Sequence, residues 1–376
     1  MSNNQNNDFR PDIRMLTCEE IGHAIAGVDG KKFRAGQIWK WLWSKGCVSF
    51  DEMTNIPDET RQFLKSEFTL HSARSETIMN SNDGTAKVGF RLHDESVIEG
   101  VLIPSEERYT ACISSQSGCA LGCKFCATGK VGFTRNLTSG EIFDQVVFLS
   151  KLAGAQSPAT DVASNPQSVE HFSDSGFHHQ LSNIVFMGMG EPLLNYDQVK
   201  KSIELITSRE SLAMSPQRIT VSSIGIPKMI RIMADDHPRY HFAFSLHAAN
   251  DKKRDQIIPF NLNHPLAEII SALKYYHSKT NKRITIEYIL FSKFNDSLAD
   301  ANELTIFCKN FPVKVNLIEY NPVKDSAFSG SDPVTTQEFV RYLEKRNMVV
   351  NVRKSRGKDI DAACGQLRAN LLKDQQ

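Results

Sequence analysis

Short β-rich runs alternate with amphipathic helical segments through most of the chain after residue 104. One helical segment, LTSGEIFDQVVFLSKL, begins with Thr138 and Glu141 in the spacing of a capping box. Repeated β-α units predict a parallel sheet, arranged as an open doubly wound sheet or as a full or partial barrel. Five or six units are too few for a complete eightfold barrel. The β-rich runs are NIVFMG, RITVSS, YHFAFSLH, RITIEYIL and VKVNLIEY.

Before residue 75 the patterns are helical. Thr17 and Glu20 form a capping-box pattern, FRAGQIWKWLW has helical period, and Pro57 marks a third helix start. From Ser75 to about Pro104, the turn SNDG separates two alternating segments, which predict antiparallel strands. The sequence therefore predicts a helical domain over 1–74, an antiparallel segment over 75–104, a β-α domain over 105–354 and a C-terminal segment over 355–376.

One serine-rich stretch interrupts the β-α pattern. Residues 155–182 are weakly apolar and have no helical or strand period, which predicts a mobile insertion between a helix and a strand. His178 and His179 lie within it, and we expect them to belong to a solvated loop rather than to a metal site.

Composition excludes several classes of protein. A chain of 376 residues that is 40% hydrophobic can bury a large core. It has no apolar run long enough for a membrane span and no signal-peptide pattern in MSNNQNNDFRPD, so we expect a cytoplasmic protein without a membrane partner. Eight cysteines then indicate metal or redox chemistry rather than a disulfide scaffold. The net charge of +1 does not indicate nucleic acid, so any basic surface must be local.

Three of the cysteines stand together. Cys119, Cys123 and Cys126 have the spacing C-x3-C-x2-C within GCALGCKFCATGKVGF, and no fourth cysteine lies nearby. Structural zinc commonly uses two separated pairs of ligands, and a four-cysteine electron-transfer cluster needs one more thiolate. Three thiolates in a short glycine-containing loop can instead hold a [4Fe–4S] cube and leave one iron free for another ligand.

Polar or glycine residues follow the predicted strands where a parallel sheet collects its ligands. Each of them, taken alone, is equally consistent with a tight turn or a strand-end cap. Together they are expected to surround one opening, at the edge where the parallel strands end. They are Gly188, Gly190 and Glu191 after NIVF, Ser222 in VSS, Ser245, Leu246 and His247 in SLH, and Asn321 in YNP.

The cysteine triplet, with Phe125 directly before the last cysteine, resembles the radical S-adenosylmethionine (SAM) superfamily. The resemblance implies a [4Fe–4S] cluster held by these three cysteines, with SAM on the fourth iron and cleaved to a 5′-deoxyadenosyl radical. GMGEP resembles the superfamily segment that holds the SAM amino group, which implicates Gly190 and Glu191.

Further motifs resemble the RNA methyltransferases that act on a ring carbon of adenine. That family methylates C2 of adenosine in 23S rRNA and tRNA and includes a relative that methylates C8. The resemblance spans nearly the whole chain and implies a partial (β/α)6 TIM-like barrel with a small helical accessory domain and a β-hairpin extension. The motifs are ACISSQSGCALGCKFCATGKVGFTRNLTSGEI, GMGEPLLN, SLHAAN, NLIEYNP and VRKSRGKDIDAACGQL.

The resemblance also implies a mechanism with two further cysteines. Adenine C2 is electron-poor and does not attack a methyl group as a nucleophile, so a carbon radical is needed. Cys364 matches the cysteine that is methylated by one SAM, and a second SAM generates the radical that activates this methyl group for bonding to the base. Cys112 matches the cysteine that releases the product by forming a disulfide with Cys364, and Glu99 matches the carboxylate that removes the ring proton. Without the resemblance, both cysteines are equally consistent with inert buried thiols, and Glu99 with an exposed strand carboxylate. Cys18, Cys47 and Cys308 lie in helical patterns and are assigned to packing.

The same resemblance implies the partners of the protein, which are 23S rRNA, tRNA and an external electron donor such as flavodoxin or ferredoxin. It also implies that the protein is a monomer.

Trp39, Trp41 and Trp43 alternate with lysines in QIWKWLWSKG, and packing is expected for Trp39 and Trp43. Nearby lysines and the run RKSRGK (353–358) are candidate phosphate contacts, although a solvated basic loop explains that run equally well. A radical SAM enzyme with a non-RNA substrate and a zinc-dependent RNA-binding module remain alternatives.

Overall fold

A computed structural model describes residues 10–106, 108–156, 180–324 and 326–368. The N-terminal region contains helices α1 (Cys18–Ile25), α2 (Arg34–Lys40) and α3 (Asp58–Glu67). The predicted capping box is confirmed, because the Thr17 amide donates to the Glu20 carboxylate at 2.7 Å and the Glu20 amide donates to the Thr17 hydroxyl at 3.2 Å. Pro57 directly precedes α3, as predicted.

The tryptophan-rich stretch continues α2 as a single π-helical turn, Trp41–Lys45. Trp43 is 1% exposed and packs against the half-buried Trp39, with ring centroids 5.8 Å apart. The predicted packing role of these two residues is therefore confirmed. Trp41 lies beneath the Lys45 ammonium, which is 4.0 Å from its ring centroid.

An antiparallel meander follows the helices. Its strands are β1 (Arg74–Asn80), β2 (Ala86–Arg91), β3 (Val97–Ser105) and β4 (Arg108–Cys112). The prediction of two strands before residue 105 was wrong, since the second alternating segment contains both β2 and β3. Asp94 causes the break: its carboxylate accepts hydrogen bonds from the amide and the hydroxyl of Ser96, which closes a turn.

A small two-stranded sheet and a short helix follow β4. These are β5 (Gln116–Gly118), α4 (Ala127–Val131) and β6 (Phe133–Asn136), with β5 and β6 paired antiparallel. The cysteine triplet lies between β5 and α4.

Parallel strands and helices then alternate along the chain. In the described residues, β4 and the strands β7–β12 are joined in chain order through parallel pairs, and six helical connections separate them. Six β-α units agree with the predicted partial barrel. The elements are α5 (Ser139–Gln156), β7 (Asn183–Phe186), α6 (Tyr196–Thr207), β8 (Ile219–Ser223), α7 (Pro227–Asp235), β9 (His241–Ser245), α8 (Asp251–Ile257), α9 (Leu266–Thr280), β10 (Ile284–Leu290), α10 (Leu298–Cys308), β11 (Val313–Glu319), α11 (Pro333–Glu344) and β12 (Val350–Arg353).

The sheet lies at the centre of the core. Every residue of β10 is buried, as expected for a parallel strand covered on both faces. The N-terminal region packs onto this core through a buried ion pair, in which the Arg14 guanidinium donates to the Asp144 carboxylate of α5 at 2.7 Å. Burial raises the pKa of Asp144, and Arg14 opposes that rise.

Helix α5 extends to Gln156, two residues into the stretch predicted as an insertion. Residues 157–179 of that stretch, including His178 and His179, lie outside the described residues. None of the helices in the described ranges combines the length and the hydropathy that crossing a membrane requires.

Candidate active site

Cys119, Cys123 and Cys126 line one cleft at the carboxyl ends of the parallel strands. The loop that carries them is closed by a hydrogen bond of 2.8 Å from the Cys119 amide to the Gly132 carbonyl. Gly118 makes this closure possible: its φ is +75°, and a Cβ atom there would lie 1.8 Å from the Gly132 oxygen. A glycine is therefore required directly before the first cysteine.

Two of the three thiols stand in a region where negative charge is costly. Burial raises the pKa of Cys119 to about 12 and also raises the pKa of Cys123. Three thiolates need cationic partners here, and iron supplies them. In the described part of the chain, no three His, Cys, Asp or Glu side chains could hold one metal ion together. A [4Fe–4S] cube needs no such group, because each of its irons would take one thiolate, and the cleft offers three cysteine thiols as donors.

The cleft brings together most of the strand-end residues that the sequence singled out. Its cavity has a volume of about 130 Å³. The predicted residues that line it, besides the three cysteines, are Phe125, Gly188, Gly190, Glu191, Ser222, Ser245, His247 and Cys364.

Glu191 follows β7 and is 3% exposed. Its two carboxylate oxygens accept hydrogen bonds of 3.0 Å from the amides of Leu193 and Ile224. Burial nevertheless raises its pKa to about 7. Gly190 is required at its position, because φ is +97° and a Cβ atom would lie 2.5 Å from Gln116. The result is a buried acceptor at the wall of the cleft, suited to an ammonium group.

Ser222 and Ser245 end neighbouring strands, with their hydroxyl oxygens 3.1 Å apart. His247 follows with φ +55° and is 4% exposed. Its Nδ1 accepts a hydrogen bond of 3.1 Å from the Ile289 amide, so the neutral ring carries its proton on Nε2. Burial and the nearby Arg254 lower the pKa of His247 to about 3, which keeps the ring neutral.

Two of the predicted strand-end residues do not line the cleft. Leu246 is fully buried, and its carbonyl accepts a hydrogen bond of 3.1 Å from Arg254. Asn321 is 3% exposed, and its side-chain amide donates to the Cys364 carbonyl at 3.3 Å. The Oδ1 atom of Asn321 is buried and has no hydrogen-bond partner among the described residues, so it retains an unused acceptor.

Sequence reasoning missed two charged residues. Arg254 on α8 is fully buried and donates to the carbonyls of Ile224 at 2.6 Å and Ser245 at 3.3 Å, which ties together the ends of β8 and β9. Nothing in NDKKRDQI distinguishes Arg254 from the lysines before it. Glu287 lines the cleft from β10, and burial raises its pKa. A single acid within the apolar strand ITIEYIL was a signal that could have identified it.

A second cavity adjoins the cleft and contains both remaining site cysteines. Cys112, at the end of β4, and Cys364 both line it, and Cys364 lines the cleft as well. Burial raises the pKa of Cys112 to about 12, and the neighbouring Cys364 contributes to that rise. The side chain of Cys364 reaches solvent, yet the protein around it raises its pKa to about 11. Basic residues Arg353, Lys354 and Arg356 form part of the cavity wall.

Glu99 lies on β3, beside Cys112. Val101 pairs directly with Cys112 across the two strands, and Glu99, two residues from Val101, points to the same face of the sheet. Glu99 is 1% exposed, so its interpretation as an exposed strand carboxylate was wrong. Its carboxylate accepts a hydrogen bond of 3.0 Å from the Arg368 amide.

Two family models match the chain, one in the N-terminal region and one in the β-α region. Residues 12–70 match the ribosomal RNA large subunit methyltransferase N-terminal domain, and residues 113–304 match the radical SAM superfamily. Membership of that superfamily implies a [4Fe–4S] cluster and SAM as cofactors.

Full-length relatives agree with the family models. The chain is 48% identical to the probable dual-specificity RNA methyltransferase RlmN of Christiangramia forsetii, over 96% of this chain and 97% of that protein. It is 40% identical to the dual-specificity RNA methyltransferase RlmN of an Anaeromyxobacter species, over 96% of this chain and 91% of that protein.

A solved structure matches the whole fold. The crystal structure of a radical SAM methyltransferase from Sphaerobacter thermophilus superposes with a TM-score of 0.84, at 36% identity, over 96% of this chain and 99% of that one. With its sequence, its fold and the cysteine cleft in agreement, this chain belongs to the RlmN family of radical SAM RNA methyltransferases.

Proposed function

We propose that the protein methylates C2 of adenosine in 23S rRNA and in tRNAs, with Cys364 as the carrier of the methyl group. The observation that carries this proposal is that Cys364 lines both the cysteine cleft and the second cavity. A thiol in that position can meet a methyl donor on one side and a substrate base on the other. We also propose that the protein acts as a cytoplasmic monomer and that flavodoxin or ferredoxin supplies its electrons.

The cleft cysteines are assigned to three corners of one [4Fe–4S] cluster, with SAM on the fourth iron and two SAM molecules used per turnover. When bound, the cluster and SAM together supply the one-electron chemistry that an electron-poor ring carbon requires. Glu191 is the acceptor for the SAM ammonium group, and the glycine at position 190 lets the backbone approach it.

The remaining assigned cofactor contacts differ in how they reach the cleft. Ser222 and Ser245 present hydroxyls there, and His247 presents the N–H of Nε2 as a donor. Leu246 contributes through its backbone, which Arg254 holds in place. Asn321 contributes through Oδ1, the acceptor that its contact with the C-terminal segment leaves unused.

Cys364 must lose its proton before its sulfur can take up a methyl group. The Arg353 guanidinium favours the thiolate and opposes the rise in the pKa of Cys364. The methyl carbon would give up a hydrogen atom to the 5′-deoxyadenosyl radical that the second SAM supplies, and it would then bond to adenine C2. The adduct would lose one electron, which the cluster could take back, so that a thioether bridge joins protein and RNA.

Cys112 and Glu99 act on that bridge. Glu99 takes the proton from the ring carbon. The Cys112 thiolate attacks the sulfur of Cys364, the S–C bond breaks, and the released carbon takes up a proton to become the methyl group. The disulfide that remains must be reduced before the next turnover. The shared sheet face of Glu99 and Cys112 supports these adjacent roles.

RNA binding is assigned to two basic surfaces. Arg353, Lys354 and Arg356 at the second cavity can hold the phosphates of a flipped-out nucleotide. In the N-terminal domain, the Phe33 ring is 58% exposed and the Trp41 ring is covered by the Lys45 ammonium, which is the combination of aromatic rings and a cation that nucleic acids favour.

Two measurements test the proposal. Anaerobically purified protein should be brown and contain about four irons per chain, whereas a colourless zinc protein would contradict it. Mass spectrometry of RNA treated with the enzyme and SAM should find the methyl group on C2 of adenine. A methyl group on C8 would assign the protein to the other branch of the family, and no RNA product would leave a radical SAM enzyme with a different substrate.

A further inference from the structure

The segment that carries Cys364 is attached to the rest of the protein on both sides of that residue. Downstream, the contacts use backbone carbonyls of the segment. The Ala127 amide donates to Gly365 at 2.7 Å, and the Thr128 hydroxyl donates to Leu367 at 2.6 Å. Both donors belong to α4, the helix that begins directly after the cysteine triplet. The Thr128 contact is fully buried.

Upstream, the contacts are of a different kind. Residues Ser81–Thr85 form the turn between β1 and β2, and they meet residues 357–359 of the C-terminal segment. The Asp359 carboxylate accepts from the Ser81 hydroxyl at 2.5 Å and from the Asn82 amide at 3.1 Å. In return, the Asp83 carboxylate accepts from the Gly357 amide at 2.9 Å. Two aspartates, one from each partner, therefore join elements that are far apart in sequence.

The backbone at this junction has little freedom. Gly357 has φ +65°, and a Cβ atom there would lie 2.8 Å from Ala362 and 2.8 Å from Thr85. The chain therefore turns tightly at one place and reaches Cys364 five residues after Asp359. The position of Asp359 consequently limits where the Cys364 thiol can lie.

The two attachments differ in exposure. Asp359 is exposed and Asp83 is half-buried, whereas the downstream contact at Thr128 is buried. Hydrogen bonds that water can reach open more readily than buried ones. The hydrogen bonds of Asp359 are therefore more open to water than the downstream contact at Thr128, although Gly357, Ile360 and Ala362 beside them are buried.

We propose that the Ser81–Thr85 turn is a latch for the C-terminal segment, with Asp83 and Asp359 as positioning residues that hold Cys364 between the cleft and the second cavity. When the latch opens, the segment pivots about its contacts with α4. The reason for such a pivot rests on the proposed function, in which Cys364 meets a methyl donor in the cleft and a substrate base in the second cavity. The existence of the latch does not rest on it, because the latch fixes only the position of the thiol.

The test measures the reactivity of Cys364 in the full-length, cluster-loaded protein. Iodoacetamide is added anaerobically without SAM, and alkylation of the Cys364 peptide is followed by mass spectrometry. Asp359→Ala should accelerate alkylation about fivefold to tenfold, because loss of charge-assisted hydrogen bonds lets the segment leave the protein surface. Asp359→Asn keeps one acceptor oxygen and should show a smaller acceleration. Glu344→Ala removes an exposed carboxylate at the end of α11 and should leave the rate unchanged.

A second variant changes the turn instead of the C-terminal segment. Ser81→Ala removes only the hydroxyl partner of Asp359 and should accelerate alkylation in the same direction, so the test does not depend on one substitution. Hydrogen exchange should quicken at the amides of Asn82 and Gly357 while those of α4 are unaffected. Unchanged alkylation in both Asp359→Ala and Ser81→Ala would overturn the latch. Because no SAM is added, the result does not depend on whether Cys364 acts as the methyl carrier in the reaction.

Discussion

The backbone amide of Arg368 donates a hydrogen bond of 3.0 Å to the carboxylate of Glu99. Arg368 follows Cys364 by four residues, and Glu99 shares a sheet face with Cys112. The segment with the assigned methyl carrier therefore contacts the assigned proton acceptor.

The first prediction concerns Glu99. Glu99→Gln keeps an oxygen that can accept from Arg368 but cannot take up the ring proton. We expect a folded protein that forms the covalent link to RNA and releases methylated product at least about a hundredfold more slowly, the usual range for loss of a general base. Denaturing gels detect the linked species, and nucleoside mass spectrometry detects the product. Glu95→Gln, in the exposed turn after β2, is the matched control and should behave as the unaltered protein. Normal product release by Glu99→Gln would remove Glu99 from its role.

The second prediction concerns the cysteine triplet. Alanine at Cys119, Cys123 or Cys126 should reduce bound iron from about four per chain to nearly none and abolish methylation, because a three-ligand cluster has no spare thiolate. Iron analysis and the visible spectrum measure the loss. Cys308→Ala is the control, since that thiol is buried on α10 and does not line the cleft. Retention of the cluster after loss of any one cleft cysteine would contradict the assignment.

Local patterns predicted much of this molecule because their physical causes are local. The capping box at Thr17 depends on residues within a short stretch of sequence. Ser222 and Ser245 could be placed at one mouth because parallel strands all end at the same edge of the sheet. The burial of Arg254 and the contact of Asp359 with Ser81 depend on tertiary packing, which periodicity does not encode. Both therefore emerged only with the structure.

The third prediction tests the buried guanidinium. Arg254→Met leaves the carbonyls of Leu246, Ile224 and Ser245 without their donor, and we expect it to lower the free energy of unfolding by about 3 kcal/mol. Arg254→Lys keeps the charge but loses the forked geometry, and it should be intermediate. Chemical denaturation measures both. Lys252→Met, an exposed substitution on the same helix, should change stability little. Equal stability of Arg254→Met and Lys252→Met would show that the buried contacts contribute nothing.

The fourth prediction concerns pH. His71 and His93 stack with ring centroids 4.0 Å apart, where the N-terminal region meets the turn after β2. Burial and then the charge of His93 lower the pKa of His71. A group whose folded pKa is lowered binds protons more weakly in the folded state, so its contribution to stability is present above the unfolded value of about 6.5 and declines as the pH falls below it.

His93→Gln removes one of the causes, so the pKa of His71 should move back toward its ordinary value. We expect the unaltered protein to lose more stability than His93→Gln between pH 7.5 and pH 5.5, measured as the shift in the urea midpoint. The comparison of the two proteins cancels groups that titrate identically in both. An equal or larger loss in His93→Gln would show that the stacked pair does not contribute to the pH dependence.

The last prediction separates the two cysteines that face the second cavity. If Cys364 carries the methyl group, Cys364→Ala has nothing to receive it and should form neither product nor a link to RNA. If Cys112 acts afterwards, Cys112→Ala should still form the thioether bridge but cannot break it by thiol attack, so a SAM-dependent protein–RNA band should accumulate and survive denaturation. The two variants must therefore fail in opposite ways, although the pKa of both thiols is raised. Both substitutions remove one sulfur from the same cavity, so each serves as the control for the other. A Cys364→Ala protein that still cross-links, or a Cys112→Ala protein that turns over normally, would show that the roles are assigned wrongly.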